Sequence, residues 1–315
     1  MKVAVLTPNG FQFKEEPTPK CQPWEVLVKS AGCGICEGDV FHYNNRAGKH
    51  GRDDGTDVRL GHEGSGVVVE VGDHVKDFKP GDRVTALGGD YAEYFTIIPS
   101  FLTLLPDAIK TADGLGEPLA CCIAGASRYG IRLGDRVAVI GAGYMGMNCM
   151  QLSRLLGAAE CVVLDLLDWR LAVARRSGAD SVVNTTGRDA ASLAAELGVF
   201  DVVIEATGVQ AAVDIGTALV REHGTFNLVG YHQNNDGMRR VDMKLWNYKS
   251  INVVNAHIRD QAQKLKDMQA GLRLVAGGRL DSRAFITNYP FTDINRAFED
   301  LASRKEGLFK GNLVF

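Results

Sequence analysis

Apolar positions change their spacing twice along the 315-residue chain. Short β-like runs dominate the first third, as at 25–29, 66–71 and 94–98, and Gly, Pro and Asp turns separate them. Runs of this length between turn residues are typical of strands rather than helices. We therefore expect an all-β, barrel-like domain over residues 1–120.

From about residue 121, short apolar runs alternate with helical patterns such as 145–156 and 170–177. The predicted strands are Val137–Ile140, Cys161–Leu164, Ser181–Asn184, Asp201–Ala206, Thr225–Gly230 and Ile251–Asn255. Near-continuous apolar strands joined by helices predict a parallel sheet covered on both faces, and six of them make two mononucleotide-binding halves. We expect an α/β domain of this doubly wound, six-stranded parallel (Rossmann) type over 121–256.

The pattern changes again in the final segment, 257–315. A long helix is predicted over 261–275, followed by a strand-like run at 284–291, a short helix over 294–301 and a closing strand near 312–315. We expect this segment to rejoin the first domain.

Composition narrows the class of protein. The chain is 45% hydrophobic and 23% charged with a net charge of −3, which is typical of a globular protein and gives no basic face for nucleic acid. No apolar run approaches the ~20 residues that span a bilayer, and the start lacks a signal-peptide pattern. The seven Cys are an odd number and argue against a disulfide framework. We expect a cytoplasmic protein without nucleic-acid or membrane partners.

A glycine-rich turn follows the first strand of the predicted Rossmann domain. Its six residues are Gly141, Ala142, Gly143, Tyr144, Met145 and Gly146. G-x-G-x-x-G alone is a weak signal, but here a strand precedes it and a helix follows it. Gly141 permits the tight turn, Gly143 lets the backbone approach a pyrophosphate, and Gly146 allows close helix packing. The helix N-terminus then attracts the phosphates of a dinucleotide.

The second strand of this domain ends at Asp165, 19 positions after Gly146 (165 − 146). An acidic residue there bonds the adenosine ribose and repels a 2′-phosphate, which favours NAD over NADP. The alternative for Asp165 is a plain helix cap. Arg170 fits either the ribose edge or a solvated helix charge. Thr207 and Gly208 either lie along the dinucleotide or form a strand-end turn.

Candidate metal ligands fall in three short runs, CGICEGD at 33–39, GHEGSGV at 61–67 and GEPL at 116–119. Thiolate, imidazole and carboxylate are the ligand types of catalytic zinc. Each run alone has another interpretation. The C-x-x-C pair fits a redox pair or half of a structural zinc knuckle, a single His fits a hydrogen-bonded polar residue, and Glu before Pro fits a domain-boundary turn.

Taken in order, these runs and the glycine-rich turn closely resemble the zinc-containing medium-chain dehydrogenase/reductase family, nearest its sorbitol and polyol dehydrogenase branch. The resemblance covers essentially the whole chain. It implies a GroES-like catalytic domain at the N-terminus and hydride transfer between a polar secondary alcohol and NAD. It also implies a homodimer or homotetramer, paired through the edge strand near 247–255.

The resemblance also assigns residues. It implies that Cys36 and His62 bind the zinc and that Glu63 binds it directly or through water. Glu117 corresponds to the carboxylate that takes the third protein position in polyol-type members. Asp39 corresponds to the carboxylate that orients the ligand His.

Lys310 lies where the family has a basic residue facing the cofactor pyrophosphate.

Three departures accompany these matches. Gly38 and Phe41 replace the residues that usually relay the substrate proton, so His42, Glu63, water or the cofactor ribose is left to carry it. The segment 84–93 has no Cys, whereas many members have a structural zinc lobe there, so we expect one zinc per chain.

The departures keep other functions open. A redox-neutral lyase or epimerase that retains NAD, a reductase of the same family, and a non-catalytic zinc- and NAD-binding relative remain alternatives. The segment between Phe41 and Gly61 is strongly polar and either walls a pocket for a polyol, sugar or sugar acid or is an ordinary solvated loop.

Overall fold

A computed structural model describes residues 1–45 and 58–315. The chain forms two compact units. Unit 1 comprises residues 1–120 and 259–315, and unit 2 comprises residues 121–258. The sequence analysis put the end of the cofactor domain at 256, two residues before the end of unit 2 (258 − 256).

The secondary structure consists of strands and helices that follow one another in both units. The strands are β1 (Lys2–Thr7), β2 (Gly10–Glu15), β3 (Val26–Gly34), β4 (Val58–Arg59), β5 (Glu63–Val71), β6 (Arg83–Ala86), β7 (Tyr94–Ile97), β8 (Leu102–Leu104), β9 (Arg136–Ile140), β10 (Glu160–Asp165), β11 (Ser181–Asn184), β12 (Phe200–Glu205), β13 (Val220–Leu228), β14 (Asn252–Asn255), β15 (Ile286–Pro290) and β16 (Lys310–Val314). The α-helices are α1 (Glu37–Asn44), α2 (Gly116–Ala126), α3 (Tyr144–Leu155), α4 (Asp168–Arg176), α5 (Ala190–Leu197), α6 (Gln210–Leu219), α7 (Met243–Lys249), α8 (Gln261–Ala276) and α9 (Ile294–Ala302).

Unit 1 is built on a seven-stranded sheet of order β15-β16-β3-β5-β6-β8, with β7 also paired to β3, and on a smaller sheet of order β2-β1-β4. The C-terminal strand β16 pairs antiparallel with β3, so the final segment completes the sheet begun by the first third of the chain. A buried aromatic cluster, which includes Phe11, Tyr43, Tyr91 and Phe298, packs beside this sheet. The C-terminal segment therefore lies in the same unit as the first third of the chain.

Unit 2 contains a six-stranded sheet of order β11-β10-β9-β12-β13-β14, in which every pair is parallel. Strand order reverses direction at β9, the arrangement of a doubly wound fold with two mononucleotide-binding halves. All six predicted strands are present. The largest difference is in β13, which begins five residues before its predicted start (225 − 220), because exposed Glu222 and His223 interrupt its apolar pattern.

Two helices lie outside the segments predicted as helical, namely α1 and α2. They contain Gly38 and Pro118, residues that weaken a helical pattern in the sequence. Helix α7 lies between β13 and β14 and has a clear structural role, because Lys249 at its end donates to the backbone oxygens of Thr217, Ala218 and Val220 at the C-terminus of α6. A cation there satisfies carbonyl groups that the helix leaves without partners. Among the described residues, no helix combines the length and apolarity needed to cross a bilayer.

Candidate functional site

The first part of the site is the turn from β3 into α1, which presents Cys36. The Cys36 N–H donates to Asp39 Oδ2 at 3.0 Å, so the carboxylate that follows three residues later fixes the turn. Asp39 is itself buried, and the same oxygen accepts a hydrogen bond from Tyr91 Oη at 2.8 Å. The thiol is therefore held at the beginning of a helix by a carboxylate that is anchored on two sides.

Sheet register brings the second and third candidate ligands to this turn. Strands β3 and β5 are antiparallel, and Gly34 lies opposite Glu63, so the end of one strand meets the start of the other. Gly is required there, because a Cβ at position 34 would lie 2.1 Å from Glu63 Oε2. Asp39 Oδ1 lies 3.7 Å from Nδ1 of His62, the residue before Glu63.

Cys36, His62 and Glu63 form a group suited to a metal ion. Their ligand atoms all lie within 4.8 Å of one another. In the described part of the chain, these three residues are the cluster of His, Cys, Asp or Glu side chains that could hold a metal ion. A sulfur, a nitrogen and an oxygen donor together match the ligand types of catalytic zinc. Glu63 Oε2 is buried and has no hydrogen-bond partner, so an oxygen is available to a cation. The residues therefore fit a zinc ion.

A lysine compensates the buried carboxylate of this group. Lys310 Nζ lies 2.6 Å from Glu63 Oε1, and the two residues are only 6% and 1% exposed. Burial raises the pKa of the Glu63 carboxyl above its usual range, and Lys310 opposes that rise. Burial, reinforced by Glu63, raises the pKa of the Cys36 thiol to about 12. A metal must therefore displace the thiol proton when it binds.

Glu117, the fourth predicted ligand, is not brought into the three-residue group. It lies in the first turn of α2, and its Oε1 is 3.7 Å from Lys264 Nζ of α8. The Glu117 carboxylate is nevertheless near enough to Glu63 to raise the pKa of that residue. One contact of its carboxylate is thus with a lysine, and direct ligation by Glu117 stays a prediction.

Two other predictions in unit 1 concern α1 and Lys310. His42 is exposed on α1, and its part in proton transfer stays a prediction. Lys310 contacts Glu63, and its contact with a cofactor pyrophosphate also stays a prediction. In the polar segment, residues 46–57 lie outside the described residues, whereas Arg59 pairs with Glu16 and Asp90 at the surface.

The second part of the site is the glycine-rich turn between β9 and α3 in unit 2. Gly141 has a φ of +102°, a conformation that disfavours side chains. A Cβ at Gly146 would lie 1.7 Å from Gly141 O, so only glycine allows the helix to approach the turn. At Gly143 the nearest atom to such a Cβ is Arg170 Nη1 at 3.8 Å, which leaves space at the start of α3. The turn has the cradle that a pyrophosphate requires.

Asp165 ends β10 beside this turn. Its two carboxylate oxygens accept hydrogen bonds from Ala142 N at 2.7 Å and from Leu167 N at 2.9 Å. The carboxylate is thus fixed against the glycine-rich turn, where the ribose of a bound dinucleotide is expected.

Tyr144 is buried at the start of α3, and the neighbouring Met145 contacts Cys122, with 3.7 Å between Sδ and Sγ.

Thr207 and Gly208 form the turn after β12, and they touch the glycine-rich turn. A Cβ at Gly141 would lie 2.5 Å from Thr207 Cγ2. Fully buried Glu205 holds this second turn, because its Oε1 accepts hydrogen bonds from Thr207 N at 2.6 Å and Gly208 N at 2.7 Å. The ends of β9 and β12 therefore present adjoining turns.

Sequence reasoning missed three residues that organise these sites, namely Tyr91, Lys264 and Glu205. Tyr91 and Lys264 have no local signal, because their partners Asp39 and Glu117 are far away in the sequence. Glu205 did have one, since an acidic residue at the end of an otherwise apolar strand must find donors when it is buried.

Comparison with known proteins places the chain in a family. Residues 22–107 match the family model described as alcohol dehydrogenase GroES-like domain, and residues 145–276 match that of zinc-binding dehydrogenase. The chain is 30% identical to sorbitol dehydrogenase of Gallus gallus, over 98% of this chain and 94% of that protein. It is also 30% identical to D-arabitol-phosphate dehydrogenase of Enterococcus avium, over 95% and 92% of the two chains.

The fold agrees with solved structures of the same kind. An oxidoreductase of unknown specificity from Escherichia coli superposes with a TM-score of 0.87 at 26% identity, over 99% of this chain and 98% of that one. The chain therefore belongs to the zinc-containing medium-chain dehydrogenase/reductase family, in its polyol dehydrogenase-like branch. That membership confirms the predicted GroES-like and Rossmann domains and makes the protein an oxidoreductase.

The buried pair of Glu63 and Lys310 yields a test of how the Glu63 carboxylate is stabilised. We expect Lys310→Met to lower the free energy of unfolding by about 3 kcal/mol or more, because it leaves a buried carboxylate without its cation. Urea denaturation followed by circular dichroism measures the change. Lys305→Met is the matched control, because Lys305 forms an exposed pair with Asp300 that contributes about 1 kcal/mol or less. Equal losses in the two variants would contradict the proposed dependence.

Proposed function

We propose that this oxidoreductase is a zinc-dependent dehydrogenase that transfers hydride between a polar secondary alcohol and NAD. The observation that carries the proposal is the proximity of Cys36, His62 and Glu63, whose ligand atoms lie within 4.8 Å of one another. The set has a thiolate, an imidazole and a carboxylate, and catalytic zinc with three protein ligands keeps a position for substrate. We infer one zinc per chain.

The roles of the protein groups follow from their contacts. Bound to these ligands, zinc supplies Lewis acidity that stabilises negative charge on an alcohol oxygen, and nicotinamide supplies the hydride acceptor. Asp39 Oδ1 lies 3.7 Å from His62 Nδ1, so the carboxylate faces that side of the ring and Nε2 would be the nitrogen left to bind a metal. Lys310 opposes the rise that burial causes in the pKa of Glu63 and so favours the ionised carboxylate, the form that would bind a metal. Gly38 and Phe41 supply no relay group, so the proton would leave by way of His42, Glu63, water or the cofactor ribose.

We infer a polyol, a sugar or a derivative of one as the substrate. The relatives named for sorbitol and D-arabitol phosphate support this class. The polar segment between Phe41 and Gly61, which includes Arg59, would form a polar wall of the pocket under this proposal. Cations in that segment also suit a phosphate or carboxylate on the substrate.

A substrate panel with a ligand variant tests the reaction. Polyols and their phosphate esters are incubated with NAD or NADP, and nicotinamide reduction is followed by absorbance. We expect steady reduction with at least one polyol, and a loss of about 1,000-fold or more in Cys36→Ser, because several kcal/mol of charge stabilisation disappear. NADH binding by the variant is unchanged, whereas its zinc content falls.

Cys21→Ser is the matched control for that variant, since Cys21 is a partly exposed free thiol of unit 1 outside the ligand group. Wild-type protein that consumes a sugar without net NADH formation would support a redox-neutral enzyme instead. Protein that keeps less than about half an equivalent of zinc after purification would argue for the non-catalytic alternative.

The preference for NAD rests on Asp165. We expect Asp165→Asn to lower the ratio of kcat/KM for NAD to that for NADP by about 10-fold or more, because it removes a charge that repels the 2′-phosphate. Asparagine keeps the shape of the side chain and an acceptor for the turn. Asp168→Asn removes the same charge three residues later and should leave the ratio unchanged. A wild-type preference for NADP would refute the assignment.

We propose a homodimer or homotetramer that pairs through β14. This strand is the edge of the six-stranded sheet, and Tyr248 and Val253 beside it are 77% and 36% exposed. An unpaired strand edge with apolar neighbours is a ready surface for a second copy. Light scattering should give a multiple of the 34.1 kDa chain mass, and Val253→Lys should reduce it. Val199→Lys, 47% exposed before β12, is the control. A wild-type monomer would exclude this pairing.

A further inference from the structure

A chain of polar contacts extends from Glu205 through His232 to Arg239 in unit 2. Glu205 is fully buried, and its Oε2 lies 3.2 Å from His232 Nε2, a close contact that is not a hydrogen bond. The other ring nitrogen, Nδ1, accepts a hydrogen bond from Arg239 Nε at 3.0 Å. A guanidinium group only donates, so Nδ1 is the acceptor nitrogen of the ring. The ring thus lies between a buried carboxyl group and the Arg239 guanidinium.

This chain holds the Gly208 peptide from two sides. Glu205 Oε1 accepts from Gly208 N at 2.7 Å, and Arg239 Nη2 donates to Gly208 O. Gly208 has a φ of +77°, so its conformation is one that these bonds select. Arg239 Nη1 also donates to Asn234 O at 2.8 Å, which closes the loop after β13 on itself. The loops that follow β12 and β13 are therefore fastened to each other.

The ends of these two strands pack closely against each other. A Cβ at Gly230 would lie 2.2 Å from Gly208 N and 2.6 Å from Glu205 Oε2. A Cβ at Gly208 would lie 2.6 Å from Tyr231 O. Tyr231 itself is 58% exposed at the point where β13 ends. A closely packed backbone surface thus continues from Gly141 across β12 to β13.

The position of this surface in the sheet indicates which part of a ligand it meets. In a doubly wound sheet, ligands bind at the carboxyl ends of the strands, with one mononucleotide half for each half of the sheet. Asp165 on β10 belongs to the half that receives the adenosine. The turns after β12 and β13 belong to the other half, which would receive the nicotinamide nucleotide.

We propose that His232 and Arg239 are positioning residues for the nicotinamide half of the cofactor. They act through the backbone of Gly208 and Tyr231 and leave the adenosine half unaffected. The proposal rests on the proposed NAD-linked function. Rigid presentation of a binding surface improves affinity because less ordering is needed when the ligand binds.

The test compares the whole cofactor with AMP, which carries only its adenosine half. Dissociation constants for NADH and for AMP are measured by calorimetry on the full chain. We expect Arg239→Ala to weaken NADH binding about 10-fold and AMP binding less than about 2-fold. Arg240→Ala is the matched control, because it removes the same charge from the next residue, which is exposed. Both ligands should bind this control as they bind the wild type.

Variants of His232 provide the second comparison. His232→Ala breaks the bridge and should reproduce the pattern of Arg239→Ala. His232→Gln keeps one acceptor for Arg239 and one donor for Glu205, and it should restore NADH binding. The thermal stability of each variant is also measured. If the two residues had a purely structural role, the loss of NADH affinity would instead follow the loss of thermal stability. If His232→Ala does not fold, the comparison of Arg239→Ala with Arg240→Ala decides.

The possible outcomes separate this proposal from the function on which it rests. Wild-type protein that binds neither ligand would overturn the NAD-linked function and the positioning role together. Wild-type binding of both ligands, with equal losses in Arg239→Ala or with no loss, would overturn the positioning role alone. A selective loss of NADH binding in Arg239→Ala and in His232→Ala, with NADH binding close to wild type in His232→Gln, would support it.

Discussion

One buried ion pair, between Glu63 and Lys310, connects the parts of the chain that make the metal site. The two residues are 247 positions apart and begin β5 and β16, with β3 between those strands in the sheet. An uncompensated buried charge would cost several kcal/mol, so the carboxylate can be buried only after the C-terminal strand has joined the sheet. The ligand group therefore depends on a segment that contributes no ligand.

Unit 2 uses a buried carboxylate for a different purpose. Glu205 Oε1 accepts hydrogen bonds from Thr207 N and Gly208 N and so shapes the backbone of the turn. The second oxygen of each carboxylate, Oε2, makes no hydrogen bond in either residue, so this feature alone does not distinguish them. The neighbouring side chains do, because Cys36 and His62 place a sulfur and a nitrogen donor within 4.8 Å of a Glu63 oxygen. The surrounding donor set thus separates a candidate ligand from an organiser.

Local patterns predicted most of what depends on local physics. Apolar runs identified all six strands of unit 2, and the spacing of Gly141 and Gly146 identified the turn, because steric limits act within a few residues. Features that depend on tertiary contact were out of reach. Tyr91 reaches Asp39 across 52 positions, and no pattern near Tyr91 indicates that bond. The final position of Lys310 likewise depends on sheet order, which a single sequence does not display.

Charge balance gives a physical reason for keeping Glu117 apart from the other ligands. With Cys36 and Glu63 ionised, a divalent metal would be offset by these two ligands, and Lys310 would balance the buried carboxylate of Asp39, which lies 3.7 Å from His62. The group would then be neutral overall before a substrate binds. A third anionic ligand would make it negative and oppose the development of negative charge on a substrate oxygen. It would also leave Lys264, whose side chain is only 17% exposed, without its carboxylate. The contact between Glu117 and Lys264 therefore agrees with a metal group that has a single carboxylate ligand.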